Sequence, residues 1–346
     1  MARERVITSE AVGPEEAQAN VALRPRKLDE IIGQREILEQ LHIAMAAARR
    51  RNEPLEHILL DGPPGLGKTT LAHVIGNEMG VGERIRVTSG PAIVKQADLM
   101  STLTNLETGD ILFIDEVHRL AKVVEEFLYP AMEDFKVDYT IESGLGGRTV
   151  NLRLNRFTLI GATTRAGMLT AAMRDRFGLR FHLDFYTTED LTEILRRSAH
   201  RLELKADADA LKMLAARSRG TPRIANRLLR RARDYAQVRS DGSLTGKVVN
   251  AALEIQQIDD LGLDELDRSF LSSLIRVYNG GPAGIEALAA TMGQERDTLE
   301  DVVEPYLLQI GFVIRTRQGR CATPAAYRHL GMKLPAVSNE ASLFGN

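Results

Sequence analysis

The sequence predicts a multidomain α/β protein: a doubly wound, parallel-sheet domain first, a small helical domain next and a winged-helix domain last. Three observations point there. A short apolar strand at residues 57–60 runs into a glycine-rich loop and then a helix, the order of a parallel strand-loop-helix unit. Further apolar strands at 111–114 and 158–160 are separated by helical segments. After Tyr186 strand signals cease until a glycine-centred hairpin near residue 318. The 346 residues are too many for one core to serve comfortably, and 44% hydrophobic with 27% charged residues is the composition of a chain that folds.

Residues 1–20 are polar, carry Gly13-Pro14 and Glu15-Glu16, and read as a flexible tail. A helical period starts at Leu28, passes through Ile31, Ile32, Ile37, Leu38, Leu41, Met45 and Ala48, and meets the breaker Asn52-Glu53-Pro54. The strand His57-Ile58-Leu59-Leu60, the loop from Gly62 to Gly67 and a helix from Thr69 to Met79 follow. With the later strands they make one large domain over residues 21–186. Helical periods at 188–201, 207–219, 223–238 and 245–257 give the small domain, residues 187–258. From Asp267 the order is helix, turn at Gly280-Gly281-Pro282, helix from Ile285 to Met292, and a third helix opened by Asp297 with Glu300 as an acidic capping box. A hairpin of 312–315 and 320–323 around Gln318-Gly319 completes a winged helix at 259–335, with a tail at 336–346.

Gly62-Pro63-Pro64-Gly65-Leu66-Gly67-Lys68-Thr69 fits the phosphate-binding loop pattern G-x-x-x-x-G-K-[ST], in its required context of strand before and helix after. Glycines let backbone N–H groups curl around phosphate oxygens, and the helix N-terminus adds positive potential. Lys68 can reach the β and γ phosphates of ATP, and Thr69 can offer its hydroxyl to Mg²⁺. Ile111-Leu112-Phe113-Ile114-Asp115-Glu116 is an apolar strand with two carboxylates at its C-terminal end, where open α/β sheets bind ligands. Asp115 suits the Mg²⁺ shell and Glu116 suits polarising the attacking water. Thr163, on the tip Gly161-Ala162-Thr163-Thr164-Arg165, can hold that water or the γ-phosphate. Arg176 follows the tip. Arg223, in the first turn of a helix opened by Gly220-Thr221-Pro222, occupies a poor place for a cation unless an anion is near.

These motifs occur in the order found in AAA+ ATPases. More narrowly, GPPGLGKTTLA, TNLETGDILFIDEVHRL, LYPAMEDF, FTLIGATTRAG, RDRFG, GTPRIANRLLRR and ERDTLEDVVEPYL resemble the RuvB family of Holliday-junction branch-migration motors, and the similarity spans roughly residues 23–334. The resemblance implies Leu23 and Arg24 by the adenine, and Gly65, Gly67, Lys68, Thr69 and Thr70 on the phosphates. It implies Thr69 and Asp115 on Mg²⁺, Glu133, Asp134 and Phe135 in a nucleotide-proximal segment, and Tyr186 against the nucleotide. Family members commonly carry Tyr where this chain has Phe135. Arg223 would sense the γ-phosphate and Arg176 would act in trans on the next subunit's ATP. Implied with these are a homo-hexamer, branch migration in recombination, repair and the SOS response, a RuvA-like junction-binding partner and a RuvC-like resolvase.

Forty-five basic and 47 acidic residues leave a net charge of −2, so contact with duplex DNA has to come from a local patch. The third helix of the last domain carries Asp297, Glu300, Asp301 and Glu304 and is a poor reader of DNA. Residues 305–339 contain no acid, which directs the DNA contact to Arg315, Arg317 and Arg320 on the wing, helped by Arg296. Val137, Tyr139 and Ile141 alternate with polar residues, as do Val150, Leu152 and Leu154, which predicts a hairpin over 137–154 that is either an association surface or folded on its own sheet. The family resemblance assigns that hairpin to the RuvA-like partner. One cysteine, Cys321, no apolar run long enough for a bilayer, and an N-terminus without a secretory signal point to a reducing cytoplasm, which the family resemblance implies is bacterial. A clamp-loader-like switch and a polypeptide-remodelling chaperone remain rival functions for the same ATP site.

Overall fold

The computed structural model describes residues 23–140 and 149–334. The expected tails at 1–20 and 336–346, and the hairpin tip with Ile141 and Ser143 to Gly147, lie outside them. By contact the chain forms two compact units. One runs to Glu203 and includes Gly220–Asn226; the other takes Leu204–Arg219 and everything from Arg227 on.

The first unit opens with a 3-10 turn, Leu28–Glu30, and helix α1 (Arg35–Arg51), then alternates β1 (Ile58–Asp61), α2 (Lys68–Glu78), β2 (Arg86–Ser89), α3 (Gln96–Thr104), β3 (Ile111–Asp115) and α4 (Lys122–Glu133). A hairpin of β4 (Lys136–Thr140) and β5 (Thr149–Arg153) precedes β6 (Thr158–Thr163), α5 (Ala171–Asp175), β7 (Leu179–His182) and α6 (Thr188–Arg201). Five parallel strands pair in the order β2-β3-β6-β1-β7. The inner strands are buried on both faces, which is why they read as unbroken apolar runs. Period two still divides them: Ile58, Leu60, Ile111 and Phe113 pack with α1 and α2, whereas Leu59, Leu112 and Ile114 pack with α3 and α4. Edge strands β2 and β7 carry Arg86, Thr88, Arg180 and His182, so the apolar signal that finds strands misses them.

The continuous helix expected from Leu28 to Ala48 is interrupted. Gly33 and Gln34 adopt left-handed backbone, φ 71° and 50°, and α1 starts only after them. The Gln34 side chain explains the break: its Nε2 donates to the Asp184 carbonyl at 2.6 Å and its Oε1 accepts from the Asp184 N–H at 3.3 Å. In the β4–β5 hairpin Val137 pairs with Leu152 and is fully buried in the core beneath α4, so the base of the hairpin folds onto its own domain.

The second unit contains α7 (Ala208–Ala216), most of α8 (Pro222–Arg239), α9 (Gly246–Ile255), α10 (Glu265–Arg276) and α11 (Ile285–Met292). It continues with α12 (Arg296–Thr298), a π turn at Leu299–Val303, α13 (Glu304–Gln309), the antiparallel strands β8 (Val313–Thr316) and β9 (Gly319–Ala322), and α14 (Pro324–His329). Ala283 bridges to Arg320 and widens the wing. Phe270, Leu274, Leu288, Leu299, Leu307 and Val313 form its core. The third helix opens one residue earlier than predicted: α12 starts at Arg296 with Glu295 at its N-cap, so Asp297 lies inside the helix and not at its cap. A box sits instead at α10, where Asp264 accepts from the Leu266 and Asp267 N–H groups at 3.0 and 3.1 Å and Asp267 accepts from the Asp264 N–H at 2.8 Å. Asp267, fully buried, also pairs with Arg219, whose Nε donates to the Gly262 carbonyl at 2.7 Å.

Glu304 is likewise fully buried. Its carboxylate accepts from Nε and Nη2 of Arg315 at 2.8 and 2.5 Å and from Nε and Nη2 of Arg320 at 2.8 and 3.1 Å. Burial pushes its pKa up, but the two guanidinium groups outweigh it and hold the carboxyl below its usual value. A lowered folded pKa stabilises the fold above the ordinary value of about 4.3, and that contribution is lost as pH falls through the folded value. Glu304→Ala is therefore expected to destabilise the second unit by about 3 kcal/mol at pH 7 in urea titration, with the difference shrinking below about pH 4. A variant as stable as the parent at pH 7 would contradict this account of the wing.

Candidate functional site

The phosphate-loop motif leaves β1 through Gly62 at φ 133°, where a Cβ would lie 2.4 Å from the Leu183 carbonyl oxygen; only glycine fits. Gly65, at φ 81°, meets a second constraint: a Cβ there would lie 2.7 Å from Thr221 Cγ2, and its carbonyl accepts from the Arg223 N–H at 3.4 Å. The loop and the Gly-Thr-Pro-Arg motif are thus packed against each other. Gly67 turns the chain into α2, whose first-turn N–H groups at Lys68, Thr69 and Thr70 have no side-chain cap and face the loop as an anion site.

Lys68 is only 6% exposed, and its Nζ donates to the carbonyls of Gly62 at 2.7 Å and Pro63 at 3.0 Å. Burial lowers its pKa to about 8, opposed by the negative charges of Glu116, Asp115 and Asp61 and reinforced by the positive charge of Arg223. Asp115 at the end of β3, Glu116 just after it and Arg223 of α8 thus all act on one ammonium. Thr69 Oγ1 donates to Asp115 Oδ2 at 3.3 Å. Two oxygen donors side by side at the foot of a phosphate loop fit Mg²⁺, which takes hard oxygen ligands and completes its shell with phosphate and water.

Glu116 stands at φ 48°, a left-handed position that turns its side chain off the end of β3. One carboxylate oxygen, Oε2, accepts from the Thr164 N–H at 3.4 Å and hydroxyl at 3.2 Å, and lies 3.1 Å from His118 Nδ1. Burial pushes the Glu116 pKa up; His118, Lys68 and the Thr164 N–H together outweigh it and keep the carboxyl below its usual value. His118 Nδ1 also lies 2.9 Å from Thr163 Oγ1, which accepts from the Arg165 N–H at 3.0 Å. The hydroxyl that reaches Glu116 is therefore that of Thr164. Thr163, the residue the sequence pointed to, is fully buried and faces His118 instead.

Tyr186 Oη donates to the Leu66 carbonyl at 3.2 Å and its N–H to the Gly220 carbonyl at 2.9 Å, so it joins the phosphate loop to the Arg223 motif. Burial raises its pKa to about 12. Leu23 is buried, and Arg201 Nη1 donates to the carbonyls of Leu23 at 2.8 Å and Arg24 at 3.2 Å, tying that strap to α6. The Arg24 pKa is lowered by burial and partly restored by Asp115.

Other expected site residues lie apart from this group. Glu133 pairs with Arg176 at 3.1 Å, Asp134 with Lys136 at 2.8 Å, and Phe135 packs edge-on to Phe157 with ring centres 5.9 Å apart. They gather with Arg176 at the end of α4. In the second unit, the expected separation of an acidic helix from a basic wing does not hold. Arg315 and Arg320 converge on Glu304, and Arg296 pairs with Glu286 at 2.8 Å and Glu300 at 3.3 Å. Glu300 and Glu304, two of the acids that made the helix a poor reader of DNA, turn toward the hairpin. Arg317, at the turn, is exposed and makes no ion pair among the described residues. His118, Thr164 and Arg201 escaped the sequence; the only signals were the His three residues after Asp115 and the doubled Thr of the tip.

Residues 23–183 match the family model "Holliday junction DNA helicase RuvB P-loop domain", residues 186–259 "RuvB AAA lid domain", and residues 260–331 "RuvB C-terminal winged helix domain". The Holliday junction branch migration complex subunit RuvB of Kosmotoga olearia is 56% identical over 329 residues, 95% of each chain. A solved structure described as the Thermotoga maritima RuvB Holliday junction branch migration motor superimposes with a TM-score of 0.83 at 50% identity, over 91% of this chain and 100% of that one. A point variant of that protein gives 0.84, over 90% and 99%. No helix among the described residues is long and apolar enough to cross a membrane. With all three domain models matched in order, this chain belongs to the RuvB family.

Proposed function

We propose that the chain is an ATP-driven motor that moves the branch point of Holliday junctions along duplex DNA. It would work as a homo-hexameric ring in the bacterial cytoplasm, with a RuvA-like partner on the 137–154 hairpin and a RuvC-like resolvase downstream. The observation that carries this is the convergence of Lys68, Thr69, Asp115, Glu116 and Arg223 on one phosphate loop. Residues 21–186 form the ATPase domain in this reading, 187–258 the lid and 259–335 the DNA-contacting head.

Lys68 exchanges its loop carbonyls for β and γ phosphate oxygens, and the first-turn N–H groups of α2 take the rest of the negative charge. Thr69 and Asp115 would hold Mg²⁺, which would supply neutralisation of the charge building on the phosphates. Glu116 has one oxygen engaged by Thr164 and His118, which leaves Oε1 to accept a proton from the attacking water. Leu23, Arg24 and Tyr186 seat the base and the loop. Arg223 registers the γ-phosphate, and the neighbour's Arg176 equivalent supplies the transition-state charge, since no contact within the chain brings Arg176 to Lys68 among the described residues. Glu133 and Asp134 sit on the Arg176 side, where they would face a neighbour's nucleotide.

Addition of four-way-junction DNA is expected to raise ATP turnover. Arg176→Ala and Glu116→Gln chains, each inactive alone, are expected to regain turnover when mixed, because one keeps the hydrolytic acid and the other the trans arginine. DNA-independent turnover would sink the motor reading, and a dead mixture the trans assignment. His118→Ala is expected to lower kcat roughly tenfold, about 1.4 kcal/mol, while KM for ATP stays within about twofold; a change in KM alone would show that His118 does not orient Glu116. Arg317→Ala is expected to reduce the salt slope of DNA binding by about 1 and leave DNA-free ATPase activity intact, measured by fluorescence anisotropy at several salt concentrations. An unchanged slope would remove the wing tip from the DNA contact.

A further inference from the structure

Arg176, just past the C-terminal end of α5, is held by three contacts that no motif announces. Its guanidinium carbon lies 4.1 Å from the centre of the Tyr129 ring, well within cation–π range. Nη1 donates to the Ala172 carbonyl at 2.6 Å and Nη2 pairs with Glu133 Oε1 at 3.1 Å. Nε is buried without a hydrogen-bond partner among the described residues.

The platform is itself fastened. Tyr129 Oη donates to Glu125 Oε1 at 2.6 Å and lies 3.1 Å from Thr170 Oγ1. Thr170 accepts from the Met173 N–H at 3.1 Å, capping α5, and its hydroxyl also binds Glu125. Glu125, Tyr129 and Glu133 stand four residues apart along α4 and so share one face. The ring is thus pinned between the helix that carries it and the start of α5, which ends just before Arg176.

A long arginine side chain loses much rotamer freedom when it is fixed, and one that acts on another subunit's nucleotide gets no ordering from its own site. An aromatic face orients the planar cation without occupying its N–H groups. The buried, unpartnered Nε costs free energy where it stands, and swinging toward a phosphate would give it an acceptor.

Resting on the trans assignment of Arg176 above, we propose that Tyr129 is a positioning residue for that arginine, its anchored ring setting the guanidinium in the pose from which it reaches the neighbour's γ-phosphate. Tyr129 does not touch the nucleotide. Its effect therefore belongs to the subunit that donates the arginine and not to the one that hydrolyses ATP.

The test uses mixed rings of the full-length chain, in which Glu116→Gln subunits donate the arginine and Arg176→Ala subunits hydrolyse. Adding Tyr129→Leu to the donor is expected to lower turnover about tenfold, and adding it to the hydrolysing chain to lower it less than twofold. Tyr129→Phe on the donor, which keeps the ring, is expected to retain at least about half the turnover. Equal losses from either chain would show a general structural role and overturn the proposal, as would a donor chain with Tyr129→Leu that works as well as its parent. Tyr129→Phe as damaging as Tyr129→Leu would overturn the ring as the operative feature. A mixture without the Tyr129 change that shows no turnover would overturn the trans assignment itself, and this inference with it.

Discussion

The first unit is organised around one buried ammonium. Lys68 is taken almost entirely out of water, which is tolerable only because two loop carbonyls accept from it and three acids lie within its field. Satisfying that charge requires β1 to end at Asp61, β3 to end at Asp115 with Glu116 directly after it, and the loop to close at glycines where no Cβ fits. A parallel sheet meets the requirement because all its strands finish at one edge, so residues about fifty positions apart in the chain arrive together.

Around that charge Glu116, the proposed catalytic acid, is held by its neighbours and not by its own strand. Glu116 leaves β3 in a left-handed conformation, and the hydrogen bonds from Thr164 and His118 fix one of its oxygens. The tip of β6 is thereby linked to the end of β3, and a change at either is felt at the carboxylate. Arg176, in contrast, belongs to a separate cluster with Tyr129 and Glu133, which is the arrangement expected when a site is completed by two subunits.

What could be read in the sequence follows physical lines. The inner strands were visible because burial on both faces demands apolar runs, and the phosphate loop because backbone wrapped around an anion demands glycines at fixed spacing. Strands β2 and β7 were not visible, since edge positions accept Arg86 and His182. Nor was the break before α1, where the Gln34 side chain satisfies the backbone of Asp184, 150 residues away. The wing shows the same limit in its charges: Glu304 counts as one more helix acid in the sequence, yet it is the buried counter-ion of Arg315 and Arg320. His118, Thr164 and Tyr129 owe their places to contacts between elements, for which a single sequence carries no periodic signal.

Everything proposed for this site requires Lys68 to be the cation on which a nucleoside triphosphate is seated. Equilibrium binding of ATP in the presence of magnesium, compared between the parent chain and Lys68→Ala, tests it most directly. Saturable binding that weakens at least about tenfold in the variant, a loss of ~1.4 kcal/mol, is the predicted result. Equal affinity in the two proteins, or a parent chain that binds no ATP, would contradict it.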